Sequence, residues 1–123
     1  MRARRATRCA AVAALLLLTL AGCSPAPPDT APSIPAGRIT HVSPGADGLG
    51  TIMVESSDPA AVFDKASLAV TDKTDLLLQT SDGYARATFA DLTEGTRVDV
   101  WVFGAVAESY PVQGTADVVV VVR

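Results

Sequence analysis

Five prolines fall within thirteen residues, Ser24-Pro25-Ala26-Pro27-Pro28-Asp29-Thr30-Ala31-Pro32-Ser33-Ile34-Pro35-Ala36. Each proline removes an amide donor and holds φ near −65°, so the tract favours extended polyproline II over a helix or a sheet ladder. It divides the chain. The segment from Gly37 to Arg123 is left to build the fold by itself. As a free spacer rising ~3.1 Å per residue, the tract reaches about 40 Å.

What precedes the tract has the order of a secretory signal. Arg2, Arg4, Arg5 and Arg8 make a positive start, and Cys9 to Leu20 is apolar apart from Thr19. Leu20-Ala21-Gly22-Cys23 then places small residues and a cysteine at the cut. The apolar run falls short of the about 20 residues that a membrane-spanning helix needs. An ordinary cleaved signal would not require a cysteine there. The tetrapeptide resembles a lipobox, which implies a diacylglyceryl group on the Cys23 sulfur and cleavage before Cys23. The mature chain would then be exported and lipid-anchored, facing outward from the bacterial cell membrane. Two acyl chains are what stable anchoring takes. The expected organisation is a signal peptide over 1–22, a lipidated Cys23 with a Pro-rich linker to residue 36, and one domain over 37–123.

Removing the leader changes the charge balance. Four of the ten basic residues leave and all thirteen acidic ones stay, so the mature chain carries a formal charge of −7. Nucleic acid is a poor partner for such a chain, because phosphate contacts need clustered Lys and Arg. Adhesion to anionic headgroups by charge is equally disfavoured. Both cysteines, Cys9 and Cys23, lie before the domain. The folded part has no disulfide framework, and its core must suffice.

From Gly37 onward the residues read almost only as strands. Arg38-Ile39-Thr40-His41-Val42 ends at a turn cluster, Ser43 to Gly48, and Thr51 to Glu55 follows. Lys65 to Val70 places Ala66, Leu68 and Val70 on one face at period two. Asp75 to Gln79 is brief and ambiguous. Ser81-Asp82-Gly83 predicts a turn into Tyr84 to Phe89. Phe89 and Leu92 suit one helical turn, and Gly95 suits a positive φ leading into the next strand. In that strand, Arg97 to Phe103, Val98, Val100 and Val102 occupy one face and Trp101 and Phe103 the other, which predicts a central position. Ala116 to Val122 is the last strand. A short stretch near Asp58 to Lys65 is the one place with a helical period. The expectation is an all-β fold, a small five- or six-stranded OB-like β-barrel, with a small β-sandwich as the alternative. Closure would keep the Val118–Val122 run from forming an aggregating edge.

Four pieces in order carry a resemblance. They are Lys65-Ala66-Ser67-Leu68-Ala69-Val70-Thr71-Asp72-Lys73-Thr74, Phe89-Ala90-Asp91-Leu92-Thr93-Glu94-Gly95, Val98-Asp99-Val100-Trp101-Val102-Phe103-Gly104, and Glu108-Ser109-Tyr110-Pro111-Val112-Gln113-Gly114-Thr115-Ala116. Together they resemble the YobA-type family of small bacterial lipoproteins, a domain of unknown function. The resemblance covers roughly Gly50 to Val122. It implies an OB-like barrel on a lipid anchor and brings no activity with it.

Candidate recognition residues lie in the stretch Glu108-Ser109-Tyr110-Pro111-Val112-Gln113. It joins an acid, a phenol and an amide between two apolar strands, and loops on a rigid scaffold commonly carry binding groups. The competing reading has Tyr110 packed on the rim and donating to a backbone carbonyl, Pro111 setting the turn and Gln113 satisfying loop amides. The Tyr110-Pro111 bond can be cis or trans. Trp101, the single tryptophan, is either a stacking platform or a packing residue. His41 alone makes neither a zinc site nor a triad. Asp72, Asp75 and Asp82 around Lys73 and Arg86 lack a calcium-loop pattern and read as a solvated rim. No cofactor is implied, and an enzyme is not expected. The reading is a non-enzymatic interaction module of the cell envelope, presenting residues 108–113 and Trp101 to an unknown envelope protein. The alternative is a lipoprotein that binds a small ligand or metal ion.

Overall fold

The computed structural model describes residues 24–123. The expected signal peptide and the expected lipidation at Cys23 lie outside the described residues. Within them the chain forms β1 (Ile34–Pro44), β2 (Gly50–Glu55), β3 (Lys65–Val70), β4 (Asp75–Thr80), β5 (Gly83–Arg86), β6 (Arg97–Trp101), β7 (Val112–Thr115) and β8 (Val118–Val122). Short 3-10 turns occupy Ala46–Gly48 and Phe89–Asp91. The fold is all-β.

One sheet holds the strands in the order β5-β4-β8-β6-β1-β2-β3-β7. That order curls round, because β7 and β8 are separated in the chain only by Ala116 and Asp117. The C-terminal run starts parallel to β3 and ends antiparallel to β6. At the crossing, the Ala116 N–H donates to the Ala69 carbonyl and the Asp117 N–H to the Trp101 carbonyl, both at 2.9 Å. The result is a small OB-like barrel of β1, β2, β3, the β7–β8 run and β6. There are eight strands where five or six were expected. The last run is split at the crossing, and the ambiguous Asp75 segment pairs with β5 as a hairpin added beside β8.

Period-two alternation fills the barrel. Ala66, Leu68 and Val70 face inward from β3, as predicted, against Ile52 and Val54 of β2, Val98 and Val100 of β6, and Val119 and Val121 of β8. Leu92, after the Phe89–Asp91 turn, closes this core. Thr88 and Asp91 cap that turn reciprocally, and Gly95 has φ 89°, as its sequence position required. The opposite face of β8 is also buried. Val118 and Val120 join Trp101 and Leu77 in a second cluster, against which Tyr84 of the added hairpin packs. This is why the Val118–Val122 run is apolar on both faces.

Other expectations change as well: the strand expected over Arg97–Phe103 stops at Trp101, leaving Phe103 exposed. The stretch near Asp58 to Lys65 is not helical. The Asp58 carboxylate accepts from the Ala60 N–H at 2.8 Å, a local bond that competes with helix. The linker also does not run to residue 36, because β1 begins inside the Pro-rich tract at Ile34, which is fully buried and paired with Val100. Proline keeps its carbonyl, and β1 pairs only with β6 before Arg38, so this part of the ladder needs few donors from the tract. Register breaks between Ile34 and Gly37, where Pro35 sits, and the Ala36 N–H turns to Asp99 Oδ1 at 2.8 Å. Upstream, the Ser33 hydroxyl donates to the Val102 carbonyl at 3.3 Å and accepts from the Val102 N–H at 3.0 Å. The Val62 N–H donates to the Ser33 carbonyl at 2.8 Å. Pro25, Pro27, Pro28 and Pro32 are half-buried. The end of the tract is therefore part of the folded domain.

Candidate functional site

The 108–113 stretch forms a loop tied to itself. The Ala107 N–H donates to the Gln113 carbonyl at 2.8 Å, and the Ser109 hydroxyl to the Pro111 carbonyl at 2.8 Å. The Tyr110-Pro111 bond is cis. Glu108 and Gln113 are exposed and stand outside the pocket that Tyr110 lines. Gln113 satisfies a loop amide through its backbone carbonyl. Tyr110 does not donate to a backbone carbonyl. Its hydroxyl reaches Asp64 Oδ2 at 3.2 Å, across 46 residues of sequence. The side chain stays 70% exposed, and Lys65 Nζ lies 6.0 Å from its ring centroid.

Trp101 is a packing residue. It is 5% exposed in the second cluster, and its Nε1–H donates to the Thr30 carbonyl at 2.9 Å. Its ring offers no stacking face, which removes it from the site. His41 is exposed and lies 3.5 Å from Glu94, and Arg86 lies 3.7 Å from Asp75. Among the described residues, no group of three or more His, Cys, Asp or Glu is placed to hold a metal ion.

Tyr110 forms one wall of an open pocket of about 630 Å³. The floor comes from the start of β1 (Ala36, Gly37, Arg38, Thr40), and Arg97 of β6 flanks it. The end of β2 and the following loop bring Glu55, Ser56, Asp58 and Asp64. Ser56 is held in place by donation to the Pro35 carbonyl at 2.6 Å. The Tyr110 phenol is pushed above its ordinary pKa. Lost hydration in this corner is the largest cause, followed by donation to Asp64 and the negative charges of Asp64 and Glu55. It stays a neutral hydrogen-bonding group.

Strand register sets the charges in a row. Arg97 is the partner of Arg38, Arg38 of Glu55, and Glu55 of Lys65. Cross-strand partners share a face, so the row reads plus, plus, minus, plus along one side of the barrel. Lys65 takes Glu55, with Nζ 3.7 Å from Oε2. Arg38 donates through Nη1 to the Gly95 carbonyl at 2.9 Å. Among the described residues, neither arginine lies within ion-pair distance of a carboxylate. Reading the sequence pointed to Tyr110 and missed Arg38, Arg97 and Asp64. Nothing local marks these residues, and only strand register and a long reversal bring them together.

The family model described as "Protein of unknown function (DUF3221)" matches residues 52–123. That span is more than half of the chain, and the chain belongs to this family. It includes Asp64, Arg97 and Tyr110, while Arg38 precedes it. No curated protein and no solved structure matches.

Proposed function

We propose that this member of a family of unknown function is an exported, lipid-anchored protein of the bacterial cell envelope that works as a non-enzymatic recognition module. The positive start, the apolar run and the Leu20-Ala21-Gly22-Cys23 ending support the anchor, with Cys23 as the lipidated residue. The resemblance to YobA-type lipoproteins supports the same placement. One observation carries the recognition role. Tyr110 is 70% exposed, yet it is held over a charged pocket by its bond to Asp64. An aromatic group that is both exposed and positioned suits contact with a partner.

The test is photo-crosslinking in intact envelopes, with the crosslinker at Tyr110 and a control copy carrying it at Pro25. A component captured only from Tyr110 supports the module. If both copies are anchored and neither captures a specific component, the reading fails in favour of a small-ligand binding protein. The pocket itself favours that second reading, and thermal shift against small molecules measures it, since a ligand bound only by the native state raises stability.

A further inference from the structure

Arg38 and Arg97 are direct cross-strand partners on the open side of the barrel. Like charges in that relation oppose folding. The chain does not quench them. Glu55 is the partner of Arg38 on its other side, but the Glu55 carboxylate is engaged by Lys65. The two arginines thus leave adjacent strands as direct partners, Arg38 giving one Nη1–H to the Gly95 carbonyl and keeping its other donors, in a domain that is otherwise strongly acidic. Such a pair matches the two oxygens of a carboxylate or a phosphate.

The opposite wall decides between these ligands. Asp58 and Asp64 line the same pocket. A multiply charged anion such as phosphate would meet their repulsion, and a metal cation would meet that of the arginines. A ligand with one negative and one positive end satisfies both walls. A volume of about 630 Å³ accommodates more than one amino acid.

We propose that the pocket formed by Arg38 and Arg97 on one side and by Asp58, Asp64 and Tyr110 on the other binds short peptides with free termini, the carboxylate on the arginine pair and the ammonium toward the aspartates. This deepens the recognition reading, because it rests on the same Tyr110 corner.

The experiment is calorimetric titration of the purified full chain in detergent micelles with trialanine, N-acetyl-trialanine, trialanine amide and inorganic phosphate. Trialanine binds, and capping either end weakens binding by about tenfold or more, the worth of a hydrogen bond to a charged group. In Arg97→Gln the preference for the free carboxylate falls by a similar factor. The melting temperature of this variant holds or rises, since a like-charge pair has been relieved. The proposal is overturned if trialanine does not bind, if the amide or phosphate binds as well as trialanine, or if Arg97→Gln leaves the preference intact. Its failure is separable from that of the recognition reading. Capture from Tyr110 with no peptide binding keeps the module and discards this ligand. Peptide binding without capture keeps the ligand and discards the protein partner.

Discussion

Replacing Ile34 by alanine tests where the domain begins. Ile34 sits among five prolines, in a tract that by composition is a spacer, yet no part of its side chain is exposed. The change removes three carbon groups. At about 0.8 kcal/mol each, transfer alone amounts to ~2.4 kcal/mol. The site relaxes poorly, because Ile34 Cγ2 lies only 3.1 Å from where a β-carbon on Gly37 would sit, and Val100 is fixed across the ladder. Adding a residual cavity gives a loss of about 3 kcal/mol, within the range for such truncations. In a domain of this size each kcal/mol lowers the melting temperature by roughly 4–8 °C. Alanine at 34 should therefore lower it by about 12–24 °C. Thermal and urea unfolding followed by circular dichroism measure it. Asp29→Ala, at an exposed position of the same tract, is the control, expected to change stability by less than about 0.5 kcal/mol. A loss below about 1 kcal/mol at Ile34 would refute the reasoning and return the barrel's start to Gly37.

Other substitutions test the barrel and the Tyr110 corner. The Thr74 hydroxyl donates to the carbonyl of buried Ala116 at 2.6 Å and accepts from the Thr71 N–H at 3.0 Å, at the crossing between β7 and β8. Thr74→Val keeps the shape and should cost about 1–3 kcal/mol in a urea melt. A β-carbon at Gly50 would fall 2.8 Å from Phe89 Cζ and against the Ser43 carbonyl, so Gly50→Ala should lose about 1–3 kcal/mol and shift hydrogen exchange at the β1–β2 turn. Because the Tyr110 pKa is raised in the folded chain, its contribution is complete below the phenol's ordinary value of 10.0 and is lost as pH rises through the raised value. In a Tyr84→Phe background, Asp64→Asn should move the phenolate transition part of the way down, because the lost hydration and the Glu55 charge remain. An unmoved transition would mean that the Asp64 contact is not formed.

Most of the barrel was legible, because its information is local. Alternation in Lys65–Val70, the Phe89–Leu92 turn and the positive φ at Gly95 each follow from a few adjacent residues. Apolar side chains on both faces of the Arg97–Phe103 run also announced a central strand, which β6 is although Phe103 lies exposed beyond its end, but not what covers Trp101. Thr30 and the β4–β5 hairpin do so, and neither is marked by pattern. Proline density concealed the start of β1, because composition counts missing donors and ignores the carbonyls that Thr30 and Ser33 contribute. The pocket was the least legible part. Tyr110 stood out as an aromatic in a polar loop, whereas Arg38 and Arg97 become neighbours only through antiparallel register, and a one-residue slip would put them on opposite faces.

Docking of the tract also constrains what the pocket can meet. With Thr30 held at Trp101, the path from Cys23 to the barrel is at most the stretch over residues 24–30. At ~3.1 Å per residue that reaches about 20 Å, half of what a free spacer allows. On the proposal that Cys23 carries the lipid, the barrel stays within that distance of the bilayer surface. The tether also joins the barrel next to the loop that builds one wall of the pocket, since the Val62 N–H holds the Ser33 carbonyl and Tyr110 holds Asp64 two residues further on. Without residues 1–22 the chain has a net charge of −7 and is repelled by anionic headgroups, so charge does not press the domain onto the membrane. The opposed forces are then a short tether and a repelled body. Under them the Tyr110 corner is confined to a thin layer above the bilayer, and the components it samples most are those concentrated at that surface.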